Sequence, residues 1–449
     1  MLGERTIRTL LQDGLRAAPA GETEILLLST HAALTRFANN TIHQNVATSN
    51  VEVAVRTVVG KRVGASVTNR LTPEGLQEAV SRAAAIARVA PEVPDFPGLP
   101  EPEPVVAVAS FDEAVASASP EWRARQVEEV LRLAESRGAL AAGALSTDVA
   151  EVAVANSKGV FCYHVGTRIQ FRTVVLKEDA SGYAERVGWR ISAFDPVGVA
   201  RTAVERAASA QNPRDLPAGT YPVVLEPYAV QDIVSWLGYA GAGALAVQEG
   251  RSWMNGRIGT QALSEQVTIW DDGCDPAGIP LPFDFEGVPK QRVVLVEHGV
   301  PRGPVYDTVT ASKEGKRSTG HALPRAWPEY ASLGPIPTNL FMAAGDASTE
   351  EMIGRVQRGL WITRFWYTRL VHPRDCVVTG MTRDGTFWIE GGEVAYPVRN
   401  LRFTQGYVQA LASVERVGAE AWLLGDRFGA DRVPRLLLGA FTFTGVTEF

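Results

Sequence analysis

Apolar residues recur at helical spacing at the start of the chain (Ile7, Leu10, Leu11, Leu15), and Glu24 to Ser29 then reads as a buried strand. Val51, Val53 and Val55 alternate with Glu52, Ala54 and Arg56 as in a half-buried strand. Asn39-Asn40, between two strand-like runs, tolerates the left-handed conformations of a hairpin turn. Thr72-Pro73-Glu74 supplies a capping hydroxyl, a proline at the first helical position and an acid in the first turn, which predicts a helix to about Val89. From 91 to 104 prolines stand at 91, 94, 97, 100, 102 and 104, a composition that predicts an extended linker where order lapses. Helices are expected over 121–137 and 196–210, with alternating strands around the turn Asn156-Ser157-Lys158-Gly159. The stretch 211–219 is the main boundary. Beyond it the pattern is strand-rich, with helices near 227–248, 348–360 and 404–415, and no internal repeat at a short period. The organisation predicted is an α/β domain over 1–90, a linker over 91–108, a central α/β domain over 109–212 and a strand-rich domain over 218–449.

The chain has 449 residues, 45% hydrophobic and 21% charged, which suits two or three domains with real cores. A net charge of -6 argues against non-specific nucleic-acid binding, which needs clustered lysines and arginines to neutralise phosphates. Cys162, Cys274 and Cys376 have no paired spacing, the start lacks a signal-peptide core, and no run of 18 apolar residues occurs. These features predict a cytoplasmic protein with neither a disulfide framework nor a membrane partner.

Local constellations carry little chemistry on their own. Asp271-Asp272-Gly273-Cys274-Asp275 could hold a hard cation, but lacks the ligand positions of a calcium loop and reads as an acidic turn after a strand over 267–270. His372-Pro-Arg-Asp375-Cys376 offers two ligand types without a third, and reads as a loop. Gly238-Tyr-Ala-Gly241-Ala-Gly243 lacks the lysine of a phosphate loop and reads as a flexible connection. Neither His-Glu-x-x-His nor Gly-x-Ser-x-Gly occurs. Trp361, Phe365, Trp366 and Tyr367 interleave with Arg364 and Arg369. The cluster reads equally as a peptide-receiving surface or as a core strand with its arginines outward.

Several longer motifs follow one another along nearly the whole chain: Thr35-Arg-Phe-Ala-Asn39-Asn40-Thr-Ile-His-Gln-Asn45, Gly60-Lys-Arg-Val-Gly64, Asn156-Ser-Lys-Gly159, Phe283-Asp284-Phe-Glu286-Gly-Val288, Ser318-Thr-Gly-His321 and Trp388-Ile-Glu-Gly-Gly-Glu-Val-Ala-Tyr-Pro397-Val398. Together they resemble the TldD/TldE (PmbA) metallopeptidases, also called modulators of DNA gyrase. The Phe-Asp-x-Glu-Gly and Ser-Thr-Gly-His pair resembles the TldE branch. In the TldD branch the resemblance implies His-Glu-x-x-x-His after a Val-Val-Leu strand, with two zinc ligands and a general base. Aligned on Val223-Val224-Leu225, those positions are Ser235, Trp236 and Ala240. A hydroxyl, an indole and a methyl cannot replace imidazole and carboxylate at zinc. On a regular helix, positions five apart also lie about 140° around the axis. TldD proteins further use a cysteine near the C-terminus as a metal ligand; Cys376 precedes the Gly391-Gly392 segment and is not equated with it. The aromatic cluster departs from the glycine-rich enteric TldE pattern.

The resemblance implies an α+β fold, an N-terminal α/β half joined to a strand-rich C-terminal half, forming a dimer that encloses a cavity. It implies a non-catalytic subunit, without metal or catalytic residues of its own, beside a TldD-like partner that carries zinc and acts on small or unfolded peptides. In isolation the chain could pair as a homodimer, and the sequence leaves homodimer against heterodimer open. Asp284, Glu286, His321, Arg364 and Trp366 are the candidate peptide-cavity residues, although Asp284 and Glu286 also suit a tight turn. Two alternatives are a stand-alone hydrolase with a metal held by His298, His321, His372, Cys376 or the Asp271/Asp272 turn, and a purely regulatory binding protein.

Overall fold

A computed structural model of the chain describes residues 1–18, 21–327, 330, 332–426 and 429–447. Asn39 and Asn40 take φ of 50° and 55° and turn β1 (Glu22–Ala38) into β2 (Thr41–Val59). Gly60 turns β2 into β3 (Arg62–Thr68). After an intervening segment, β4 (Leu140–Asn156), β5 (Phe161–Lys177) and β6 (Ala180–Gly188) form a second meander. All six join one antiparallel sheet in the order β3-β2-β1-β4-β5-β6. Ile25 and Leu27 face α1 (Glu4–Arg16) and α2 (Pro73–Val89), whereas Leu26, one residue out of phase, packs with Val154 and Phe283 of the carboxy-terminal half. A sheet covered on both faces explains why 25–28 reads as continuously apolar.

The two meanders are copies of one plan that the sequence pattern hides. Each is followed by a helix, α2 and α5 (Pro196–Ser209), and each helix begins with a cap, a proline and a glycine. Thr72 accepts from the Gly75 amide and Asp195 from the Gly198 amide. A Cβ on Gly64 would stand 2.2 Å from the Ala83 carbonyl oxygen and one on Gly182 would stand 2.0 Å from that of Ala203, so both helices lie directly on the sheet. The equivalent positions are over a hundred residues apart, beyond any short period. Between the copies, α3 (Glu113–Ala116) and α4 (Pro120–Ser136) follow the proline-rich segment. That segment is extended as expected, but it is anchored: Phe96 and Leu99 are buried against Val58 and Val309.

The carboxy-terminal half contains β7 (Gly219–Leu225), β8 (Ile269–Asp271), β9 (Val293–Glu297), β10 (Val300–Pro301), β11 (Leu340–Met342), β12 (Arg358–His372), β13 (Val377–Glu390), β14 (Glu393–Pro397), β15 (Leu401–Gly406), β16 (Val414–Gly425) and β17 (Ala430–Val446). Pairings run β17-β15-β13-β12-β7 and return from β7 to β17, closing a five-stranded ring. Phe365, Phe403 and Phe441 meet in its core, with ring centroids 4.6–5.2 Å apart. Across β11, the strands β8, β9 and β10 extend the sheet as an arm. The helices are α6 (Pro227–Gly241), α7 (Ala244–Gln248), α8 (Thr308–Lys313), α9 (Thr349–Gly354) and α10 (Tyr407–Ala412).

Four expectations change. The helix over 227–248 divides at 242–243 into α6 and α7. The helix over 348–360 stops at Gly354, because the β-prone run Leu360-Trp361-Ile362 pairs with both β7 and β13. The helix over 404–415 shortens to α10, since 401–406 is claimed by β15. Most of the glycine-rich stretch 238–243 is helix and only 242–243 is connection: Gly238 and Gly241 lie within α6, where Gly241 leaves room for Trp253. Among the described residues, no helix is long and apolar enough to cross a membrane.

Candidate functional site

α6 follows β7 directly, with Pro227 at its first position. It is almost wholly apolar on its inner face, through Val230, Ile233, Val234 and Leu237. Gln231, Asp232, Ser235 and Trp236 interrupt that pattern and line a cavity of about 430 Å³, together with Tyr183, Tyr228, Tyr239, Arg364 and Asp426. The cavity thus lies at the positions that align with the zinc motif, and it brings Ser235 and Trp236 together with Arg364.

Each aligned side chain is committed elsewhere. The Ser235 hydroxyl donates to Asp431 at 2.5 Å, and the Trp236 indole N–H donates to the Thr368 hydroxyl at 3.1 Å. Ala240 is buried in the main core. α6 runs unbroken through Gly241, so Ser235 and Ala240 diverge as the helical period requires. Zinc does not fit these residues. The indole only donates, the methyl offers nothing, and the hydroxyl is held by a carboxylate. Asp232 accepts from Tyr407 at 2.5 Å and from Thr368 at 2.7 Å; burial pushes its carboxyl up to about 6 against those two bonds. Burial, reinforced by the neighbouring Asp426 charge, pushes Asp431 well above the carboxylate range. Asp232 and Asp431 were not among the sequence candidates. The available signal for Asp232 was a carboxylate placed inside an apolar helix.

Arg364 lies largely buried, not outward. It pairs with Asp384 and stacks 4.0 Å from the Tyr183 ring and 4.6 Å from the Trp366 ring. Trp366 itself is 43% exposed and Tyr367 is 64% exposed, while Phe365 is core. The aromatic cluster therefore divides between the two readings the sequence left open.

The other three candidates lie across the molecule's seam. Asp284 forms a tight turn: one oxygen accepts from the Glu286 and Val288 amides at 2.9 and 3.0 Å, the other from the Ala322 amide at 2.9 Å. Burial and the adjacent Glu286 charge push Asp284 up to about 8. Glu286 bonds Arg56 at 2.8 Å and Thr308; burial works to raise its carboxyl, but Arg56 and Arg325 outweigh it and hold it below the usual range. His321 is fully enclosed. Its Nε2–H donates to Asp271 at 2.8 Å, and its Nδ1 lies 3.0 Å from the Thr319 hydroxyl. Burial depresses the imidazole. Asp271 also accepts the Thr338 and Asn339 amides at 2.7 and 2.6 Å. Burial would raise it, yet His321, Lys290 and these amides hold it low. Asp271 is thus a buried strand residue rather than part of a solvated acidic turn. Asp284 and His321 share a cavity of about 280 Å³, distinct from the one on α6; Glu286 does not line it.

His164 lines the same cavity, but the other histidines weighed as ligands, His298 and His372, do not join them. His298 contacts the Glu265 carbonyl, and His372 pairs with Asp375 at 3.4 Å on the surface. Cys376 is buried in the main core, its thiol pushed up by burial. Among the described residues, no three His, Cys, Asp or Glu side chains converge as a metal-holding group.

Three family models match in chain order: PmbA/TldA metallopeptidase domain 1 over residues 23–87, the central domain over 106–211 and the C-terminal domain over 218–445. The chain belongs to the PmbA/TldD metallopeptidase family. TldE from Thermococcus kodakarensis superposes with a TM-score of 0.87 at 21% identity, covering 98% of this chain and 100% of its own. Metalloprotease PmbA of Escherichia coli O157:H7 is 26% identical over 80% of this chain and 78% of its own length. An uncharacterized protein of Methanocaldococcus jannaschii is 33% identical, over 40% of this chain and 43% of its own length.

Proposed function

We propose that this chain is a TldE-like, non-catalytic subunit that lends a peptide-binding chamber to a zinc-bearing, TldD-like partner. The observation that carries this reading is the state of the α6 face. Ser235, Trp236 and Ala240 are fixed by a carboxylate, a hydroxyl and the core, and they offer a metal no ligand set. The cavity persists without that chemistry. Its tyrosines, Trp236 and Arg364 provide flat apolar faces with polar edges, which suit an extended peptide. In this reading the partner supplies zinc, its water and the general base, and a closed dimer restricts substrates to small or unfolded peptides. The chain alone forms at most a homodimer, works in the cytoplasm and binds no nucleic acid, in line with its charge of -6.

Elemental analysis and peptidase assays on the chain alone, and after mixing with a TldD-like partner, test the proposal. The expected result is metal-free, inactive protein that enters an active zinc-containing complex. Stoichiometric metal with hydrolysis by the isolated chain would overturn it.

A further inference from the structure

The second cavity, between the six-stranded sheet and the carboxy-terminal half, contains polar groups that the protein itself leaves unmatched. Lys290 is 9% exposed, and its ammonium, with three donors, bonds only the Thr338 hydroxyl among the described residues. Arg168 on β5 bonds Gln170 through Nη2 at 3.3 Å, while its buried Nε has no acceptor. Asn339 is 3% exposed; its Nδ2 reaches Thr338, and its Oδ1 has no donor. All three line the same space of about 280 Å³. Buried polar groups are normally paired, and leaving one unpaired costs about 1–3 kcal/mol. An ammonium with donors to spare, a guanidinium Nε without an acceptor and an amide oxygen without a donor, on residues that line one cavity, describe the complement of a ligand.

Nearby carboxylates act on these cations only at longer range, Asp271 with Lys290 and Asp148, Glu185 and Asp426 with Arg168, and none closes an ion pair with either among the described residues. Asp284 spends both oxygens on backbone amides. Asp148 stands directly opposite Arg168 across the β4–β5 ladder without closing an ion pair with it. The wall is also rigid, since the Asn339 amide is tied to Asp271 and through it to His321.

We infer that this cavity is a carboxylate-binding subsite. Lys290 and Arg168 receive the carboxylate, and Asn339 Oδ1 accepts an N–H from the adjoining group, as at the C-terminal residue of a peptide. A space of this size takes one or two residues and no more. The peptide source rests on the subunit reading above; the carboxylate chemistry does not.

Calorimetric titration of the full chain with N-acetyl-Ala-Ala as free acid, with the same dipeptide as C-terminal amide, and with acetate, tests it on wild type and Lys290→Met. The free acid should bind at least tenfold more tightly than the amide, and Lys290→Met should bring the ratio near one. Acetate that competes with the dipeptide acid assigns the site to small carboxylates, and acetate that does not assigns it to peptide ends; both sustain the subsite. Equal binding of acid and amide, an acid preference that survives in Lys290→Met, or no binding of any probe overturns it. Thermal unfolding checks that the variant folds, and Arg168→Gln provides the same readout if it does not. A partner complex that lacks zinc or activity would defeat the subunit reading while leaving this result intact.

Discussion

Glu226 is the residue on which most of the architecture converges. It stands between β7 and α6, the position where a short polar side chain usually caps the helix, yet it makes no cap. At 1% exposure its carboxylate instead accepts from Arg206 of α5 at 3.2 Å, Arg435 of β17 at 3.1 Å and the Trp361 indole of β12 at 2.9 Å. Arg206 also stacks 4.0 Å from the Trp361 ring. One carboxylate therefore ties the central helix, the ring of strands and the helix beneath the α6 cavity. Removing one partner of such a buried set leaves charges without compensation, a loss of about 3–5 kcal/mol. Glu226→Ala should lower urea-unfolding stability by that amount, and Glu226→Gln by less, because the amide oxygen still accepts. Near wild-type stability for Glu226→Ala would remove Glu226 from this role.

At the scale of elements, the amino-terminal half was legible wherever local chemistry decides the outcome. α2, α4 and α5 begin within a residue or two of their expected starts because capping side chains followed by proline mark them. The Asn39-Asn40 turn was equally plain. The carboxy-terminal half was harder, since β8 and β11 have three residues each and β10 two, too few to show a period. Its helices were overextended for the same reason: only a long-range pairing reveals that Leu360 and Thr404 belong to strands. The Asp271–His321 bond joins residues fifty apart, and no local pattern announces it. The α6 cavity was partly legible through the absent ligands, whereas Lys290, Arg168 and Asn339 carry no motif. The duplicated meander yields a test of its own. Gly64→Ala and Gly182→Ala would each drive a methyl into helix backbone, at 2.2 and 2.0 Å, and should destabilise by about 1–3 kcal/mol. Gly188→Ala, whose nearest contact is 3.9 Å away, should be close to neutral. Equal thermal shifts for all three would mean that helix–sheet contact is not what fixes those glycines.

For the whole molecule, the seam between the halves is the part most exposed to pH. The second face of the six-stranded sheet meets the carboxy-terminal half through Leu26, Val154 and Phe283. The His164 Nε2–H donates to the Pro280 carbonyl at 3.0 Å and the Trp189 indole to the Pro276 carbonyl at 2.9 Å. The Pro280 bond fixes the proton on Nε2. Burial lowers His164 from 6.5 to about 4, with the Pro280 carbonyl working against the shift. The unfolded chain therefore binds a proton between those values that the folded chain refuses. Stability contributed by neutral His164 is complete above pH 6.5 and is lost as pH falls toward 4, by up to about 3 kcal/mol. Buried carboxyls act with the opposite sign: burial raises Glu24 to about 7 and Asp148 to about 6, so their protonated forms favour the folded state as pH falls. The total pH profile mixes both, and the difference between wild type and His164→Gln isolates the imidazole. Glutamine keeps an N–H for Pro280 and does not titrate. Unfolding free energies measured at intervals from pH 7 to 4 should show wild type losing stability relative to the variant across that range. Parallel profiles would mean that His164 takes up its proton without leaving the seam.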